Sequence, residues 1–240
     1  NTMQREGVEA ILNPFDAYSA ELALKLKNIY NAEINVFTMG PLQAENTLRK
    51  LIALGADNAF LISDKKFAGA DTYATGKTIA KAISKYVPDF DLILCGQFAI
   101  DGDTAQTGPC IASFLNIPQI TYLSAIDNIV QDEIFAVRNT DDGVEKVSVK
   151  MPALLCILQA DFEVSRPLIN GIIKAQNAEI KIITANDLEI NPEDTGLKGS
   201  PTYVSKAFRA MSNRLCKKFI CNDEVLKAVV DKICEIKGAQ

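Results

Sequence analysis

The stretch Leu92 to Pro109, LILCGQFAIDGDTAQTGP, runs from an apolar segment through a Gly/Asp/Thr loop into a second apolar-periodic segment. Leu92, Ile93, Leu94 and Cys95 read as a strand buried on both faces, and Gly96 ends it. From Thr104 onward, Ile111, Phe114 and Leu115 recur at helical spacing. Such a loop lies at the carboxyl edge of a parallel sheet. Backbone N–H groups at the start of the following helix are unsatisfied and carry partial positive charge there, so a phosphate binds without Lys or Arg. Gly96 and Gly102 permit tight turns, while Thr104, Gln106 and Thr107 offer donors. A second reading competes with this one. Asp103 followed three residues later by Gln106 has the form of a capping box, which would occupy the same N–H groups.

Outward from this stretch, helical and strand patterns alternate. Asp16 is positioned to cap a helix with Leu22, Leu26 and Ile29 on one face, followed by a strand at Ile34 to Thr38. Gly40 and Pro41 turn the chain into a helix with Leu48, Leu51 and Ile52 as its apolar stripe, stopped at Gly55. A strand at Ala59 to Ser63 and a helix from Thr72 to Tyr86, with Ile79 and Ile83 inward, precede the opening stretch. This alternation predicts a doubly wound, mostly parallel α/β domain whose ligand sits at the strand carboxyl ends. Ser124 to Lys150 changes to two β-rich segments around Asp141, Asp142 and Gly143, a hairpin pattern, and the apolar strand Ala153 to Leu158 follows. The expected division is a nucleotide-binding domain over residues 1–185 and, over 186–240, a loop-rich arm ending in an amphipathic helix, Glu224 to Ile236. The chain reaches Asn13 without a long apolar strand, although doubly wound domains normally open on one. A first strand is therefore expected to be missing from this sequence.

Composition narrows the chemistry. With 240 residues, 48% hydrophobic, the chain can bury a substantial core; its net charge of −5 is the wrong sign for nucleic acid as main ligand. No run approaches the roughly 20 apolar residues needed to span a bilayer, and NTMQREG has no signal-peptide character, so a cytoplasmic protein is expected. Histidine is absent, which removes His-based triads, His acid–base catalysis and most zinc sites. The six cysteines include no CxxC pair and read as reduced thiols, and the spacing of Cys216 and Cys221 is no metal signal by itself. Asp101 and Asp103 are too few for a dedicated cation site. Gly76, Lys77 and Thr78 approach a P-loop ending, but Asp71 stands where its first glycine belongs.

Taken together, REGVEAILNPFD, TMGP, ALGADNAFLI, the AIDGDTAQTG core, GIIKA and GSPTYV resemble, in order and along essentially the whole chain, the beta subunit of electron-transfer flavoproteins. The family carries a first strand with a KQVPD-like segment before NPFD, which fits the missing strand inferred above. The resemblance implies an adenine-nucleotide-binding domain paired with a larger alpha subunit that holds its own FAD. It places Asn13, Pro14, Phe15 and Asp16 near the adenosine moiety, with Met39 and Gly40 beside it. It assigns Cys95, Gly96, Gln97, Phe98, Ala99, Ile100, Asp101, Gly102, Asp103, Thr104, Ala105, Gln106 and Thr107 to the nucleotide. Asp101 and Thr104 to Thr107 are nearest the phosphates.

Two branches of that family differ in what this pocket holds. A simple electron carrier keeps AMP as a structural ligand; the bifurcating branch keeps a second FAD that takes hydride from NADH. The DGDTAQTGP form resembles the bifurcating type, which implies delivery of one electron through the alpha flavin to an acyl-CoA dehydrogenase and of the other to ferredoxin or flavodoxin. Gln97 and Phe98 depart from the basic residue and glutamine common in the family. The segment ADFEVSRPLINGIIKA is also a few residues shorter than in many members. In the family this loop anchors the dehydrogenase, so Ala160 to Ile169 is expected either to dock a particular partner or to vary only in length. The terminal helix is expected to pack on the alpha subunit.

Overall fold

A computed structural model describes residues 11–100, 102–158, 163–206, 218 and 220–238. The chain divides into two compact units, residues 2–204 and a second formed by 205–240 with Asn1. The first contains helices α1 (Pro14–Tyr30), α2 (Glu45–Leu54), α3 (Thr72–Tyr86), α4 (Thr107–Leu115) and α5 (Ile169–Asn177). Its strands are β1 (Asn35–Met39), β2 (Asn58–Ile62), β3 (Leu92–Gly96), β4 (Gln119–Val130), β5 (Glu133–Thr140), β6 (Gly143–Lys150), β7 (Ala153–Ile157) and β8 (Lys181–Ile183). The second unit contains α6 (Asp223–Gly238).

The strands form a parallel three-stranded sheet, β1-β2-β8, and a five-stranded sheet, β3-β7-β4-β5-β6. In the latter β3, β7 and β4 are parallel, and β4, β5 and β6 form an antiparallel meander. The expected hairpin is present as β5–β6, closed by Asp141 and Asp142 with Gly143 at φ 141°. This is a mostly parallel α/β architecture flanked by helices, as the alternating pattern predicts.

Period-two alternation explains how both sheet faces are covered. In β2, Ala59 and Leu61 meet Leu48, Ile52 and Ala175 of α2 and α5, whereas Phe60 and Ile62 face the cluster containing Ala82 of α3, Ile183 and Leu188. In β7, Leu154 and Cys156 pack with Ile111 and Ala112 of α4; Ala153, Leu155 and Ile157 face the cluster that takes Tyr18 and Leu22 of α1. Helix α3 joins the sheets, because Ile79 packs both beside Phe37 and Phe60 and beside Ile93 and Cys95.

The structure corrects three local expectations. The fully buried strand is β7; β3, read as buried on both faces, is half-buried throughout and lies at a sheet edge, because an apolar run does not encode how many neighbours its strand acquires. Asp16 does not cap α1. Asn13 is the N-cap residue, and Asp16 lies in the first turn. Helix α4 begins at Thr107 rather than Thr104, because left-handed backbone at Asp103 (φ 48°) and Ala105 (φ 55°) interrupts helical geometry. Within the first unit Leu188 and Thr195 are buried, and Ser200 and Thr202 bond to Asp71.

Candidate nucleotide-binding edge

Helix α1 and strand β3 meet end to end. The Gly96 N–H donates to Asp16 Oδ1 at 2.6 Å, while Asn13 Nδ2 donates to Asp16 Oδ2 at 2.8 Å and to the Phe98 carbonyl at 2.7 Å. A Cβ on Gly96 would stand 2.6 Å from Phe15 Cβ and 2.8 Å from the Asp16 nitrogen, so glycine is what admits the helix end here. Burial raises the Asp16 pKa, against the two hydrogen bonds that favour its carboxylate. Because both acceptors of Asn13 lie on its Nδ2 side, the amide orientation is fixed. Its Oδ1 is buried with no hydrogen-bond partner among the described residues.

Beyond Gly96 the chain is shaped by aromatic packing and turns. Gln97 is buried, and its Oε1 accepts the Tyr122 N–H at 2.5 Å, where β4 breaks register and Tyr122 takes φ 57°. Phe98 stands edge-to-face between Phe15 and Tyr122, with centroids 5.5 and 6.0 Å away. The two residues that depart from the family pattern are thus used here to hold the loop against α1 and β4. The Ala99 carbonyl accepts the N–H groups of Gly102 and Asp103, while Ile100 is exposed. A Cβ on Gly102 would meet nothing within 4 Å, so this glycine borders open space. Asp101 lies outside the described residues.

The alternative Asp103–Gln106 capping box does not form. Gln106 is itself the N-cap residue of α4, its side chain makes no capping bond, and its Oε1 instead accepts Thr72 Oγ1–H at 2.9 Å. Left-handed Ala105 followed by right-handed Gln106 is the alternation that turns successive backbone N–H groups into an anion-binding concavity. The uncapped α4 end continues it through Thr107 and Gly108; Pro109 contributes no N–H. Thr104 is exposed beside it.

Below the loop, Cys95 pairs in register with Cys156 of β7, their sulfurs 3.6 Å apart, and a Cβ on Gly108 would lie 2.6 Å from Cys156 Sγ and 2.8 Å from Cys95 Sγ. The Cys156 thiol, together with burial, pushes the Cys95 thiol well above its ordinary range. Cys95 is therefore a packing residue under the loop, and its thiolate is disfavoured. Met39 packs half-buried against the cluster under α3, and Gly40 donates to the Ile62 carbonyl. Both lie at the carboxyl end of β1, in the other sheet.

Helix α3 contributes a neighbour the sequence reading lacks. Asp71 caps it through the Ala74 N–H and also accepts the N–H and hydroxyl of Thr202, while the Asp71 N–H donates to Ser200 Oγ. Thr72 then reaches Gln106. Polar partners more than thirty residues apart leave no local signal. Among the described residues, no group of three or more acidic or cysteine side chains could hold a metal. No described helix is long and apolar enough to cross a membrane.

The α1–β3–α4 edge, with left-handed Asp103 and Ala105 ahead of α4, stands at the strand carboxyl ends of a mostly parallel α/β domain, the edge at which such folds carry their ligands. Residues 1–188 match the electron transfer flavoprotein domain. The chain belongs to the electron transfer flavoprotein family, on the side of its beta subunits. It is 43% identical to the electron transfer flavoprotein subunit beta of Thermoanaerobacterium thermosaccharolyticum, over 97% of this chain and 89% of that protein. The corresponding subunit of Megasphaera elsdenii is 39% identical over all of this chain and 91% of its own length. The caffeyl-CoA reductase-Etf complex subunit CarD of Acetobacterium woodii is 43% identical over 86% of this chain and 79% of that protein.

Proposed function

We propose that the chain holds FAD at the α1–β3–α4 edge. Paired with an alpha subunit, it would accept hydride from NADH and pass electrons separately to ferredoxin or flavodoxin and to an acyl-CoA dehydrogenase. The supporting observation is that the N-cap residue Gln106 makes no capping bond beside left-handed Ala105, because a capping side chain would occupy N–H groups that a phosphate uses. The residues fit the adenylate half of such a ligand: Thr104, Gln106 and Thr107 border the concavity, and buried Asn13 Oδ1 has no donor among the described residues. When bound, the flavin supplies the redox chemistry. The protein's part is to fix the phosphates on backbone dipoles, hold the loop through Asn13, Asp16 and Phe98, and exclude water along the Phe15–Phe98–Tyr122 edge.

The partner assignment rests on exposed apolar surface. Leu226, Val229, Val230 and Ile233 recur at helical spacing on α6 and each is about half exposed, a stripe suited to the alpha subunit. Leu168 and Ile169, 79% and 77% exposed, with Ile172 and Ile173, offer a second apolar surface for the dehydrogenase. The name of the A. woodii relative, a subunit of a complex with a CoA-ester reductase, supports that class of partner.

AMP is the alternative occupant, because the loop addresses phosphate and adenosine and carries no redox side chain of its own. Nucleotides released by denaturing the purified heterodimer separate the two. Two FAD per heterodimer support the bifurcating reading, and one FAD with one AMP would overturn it. If AMP only stabilises the fold, substitutions at Thr104 or Thr107 reduce assembly and leave NADH oxidation by assembled protein unchanged.

A further inference from the structure

The chain buries an acid that the nucleotide edge does not use. Glu21, on α1, is 7% exposed, and both carboxylate oxygens are engaged by one residue: Oε2 accepts the Ser165 N–H at 2.9 Å and Oε1 accepts the Ser165 hydroxyl at 3.0 Å. A buried carboxylate is costly unless its oxygens are hydrogen-bonded, so this two-pronged contact fixes Ser165 in one place relative to α1. Helix α1 is itself immobilised, with Tyr18 and Leu22 in the core and Asn13 and Asp16 bonded to the loop after β3. Ser165 lies in a stretch without helix or strand that leads into α5, three residues before Leu168. The most exposed apolar residues of that region therefore follow directly on the anchored one.

We infer that Glu21 is the positioning residue of the Leu168–Ile169 surface: through Ser165 it sets where these two side chains stand before a flavin-dependent CoA-ester dehydrogenase binds. This rests on the docking role proposed above for that surface. Without the anchor the stretch samples more conformations, and the ordering cost falls on partner binding rather than on electron transfer within the complex. Glutamine can replace the acid, since its amide oxygen accepts the Ser165 N–H and its NH2 donates to a hydroxyl that rotates to accept.

The test uses the full chain co-produced with its alpha subunit and a purified acyl-CoA dehydrogenase as electron acceptor. Glu21→Ala is expected to raise the KM for the dehydrogenase about tenfold, the loss of roughly one buried, charge-assisted hydrogen-bond pair. The expected kcat, bound nucleotide and direct flavin reduction are those of the wild type. Glu21→Gln should restore KM to within about twofold, and Ser165→Ala, which removes one bond from the outer side, should raise it by a smaller factor even if Glu21→Ala fails to fold. Leu168→Ser/Ile169→Ser is the control for the surface itself. A raised KM in that control with unchanged values for both Glu21→Ala and Ser165→Ala overturns the positioning role and leaves docking intact. An unchanged control KM overturns docking, and the positioning role with it.

Discussion

The Gly96 N–H lies 2.6 Å from Asp16 Oδ1, joining the end of β3 to the first turn of α1 across eighty residues of chain. This bond and the missing Cβ of Gly96 place the loop between β3 and α4. Gly96→Ala would drive a methyl into Phe15 and Asp16, and overpacking of this kind costs about 1–3 kcal/mol. Chemical denaturation should show a lowered midpoint with unchanged slope, and the purified heterodimer should lose nucleotide content. Wild-type occupancy in a stably folded variant would show that the α1–β3 junction does not set the loop.

The loop backbone can be tested without touching a polar group. Ala105 holds φ 55°, a conformation that costs an L-residue about 1–2 kcal/mol. Ala105→Gly should fold at least as well and keep its nucleotide. Ala105→Val should weaken nucleotide binding tenfold or more, since a β-branched residue resists this region. Equal affinities for both variants by isothermal titration would remove the left-handed turn from the recognition argument.

Close helix packing beneath the site predicts a third result. A Cβ on Gly76 of α3 would lie 2.5 Å from Cys110 Cβ of α4, a contact that no rotamer change relieves. Gly76→Ala should destabilise the domain by about 1–3 kcal/mol, outweighing the gain in helix propensity of about 1 kcal/mol. Cys110→Gly in the same chain should recover part of the loss. A thermal melt of Gly76→Ala equal to or above wild type would contradict the observed interhelical distance.

Acid stability follows from Asp71. Burial would raise its pKa, but the Ala74 N–H and the N–H and hydroxyl of Thr202 hold it below the ordinary carboxylate value. A depressed folded-state pKa contributes stability that is present above the unfolded value near 3.8 and is lost as pH falls through the folded value. Asp57, where burial is outweighed by the Ile34 N–H and Lys27, acts in the same direction. Asp71→Asn should therefore be least stable relative to wild type near neutrality, and the difference should narrow as pH falls below the ordinary carboxylate range. A difference that widens with acidification would reverse the assigned sign.

Much of the fold was legible because hydrophobic periodicity is a local property. Helix α3 falls on Thr72–Tyr86 as its pattern predicts, Gly55 ends α2 at φ 131°, and the two-residue Asp141–Asp142 turn closes a hairpin. The turn between β3 and α4 was legible for the same reason, as an apolar strand that Gly96 ends and a helix that follows it. Of the two readings open for its helix start, the capping box is not the one formed. Gln106 is spaced correctly for a box with Asp103, but Thr72, thirty-four residues away, takes its side chain.

By itself, then, the sequence determined the alternation of helices and strands, the absence of histidine in these 240 residues, and the family. Only the tertiary structure decided that β7 rather than β3 is the buried strand, that the Gln106 side chain goes to Thr72 instead of capping α4, and that Glu21 binds Ser165. The physical reason is range. Periodicity and turn chemistry act within a few residues, whereas burial, side-chain partners and close backbone approach depend on which distant segments the packed core brings together.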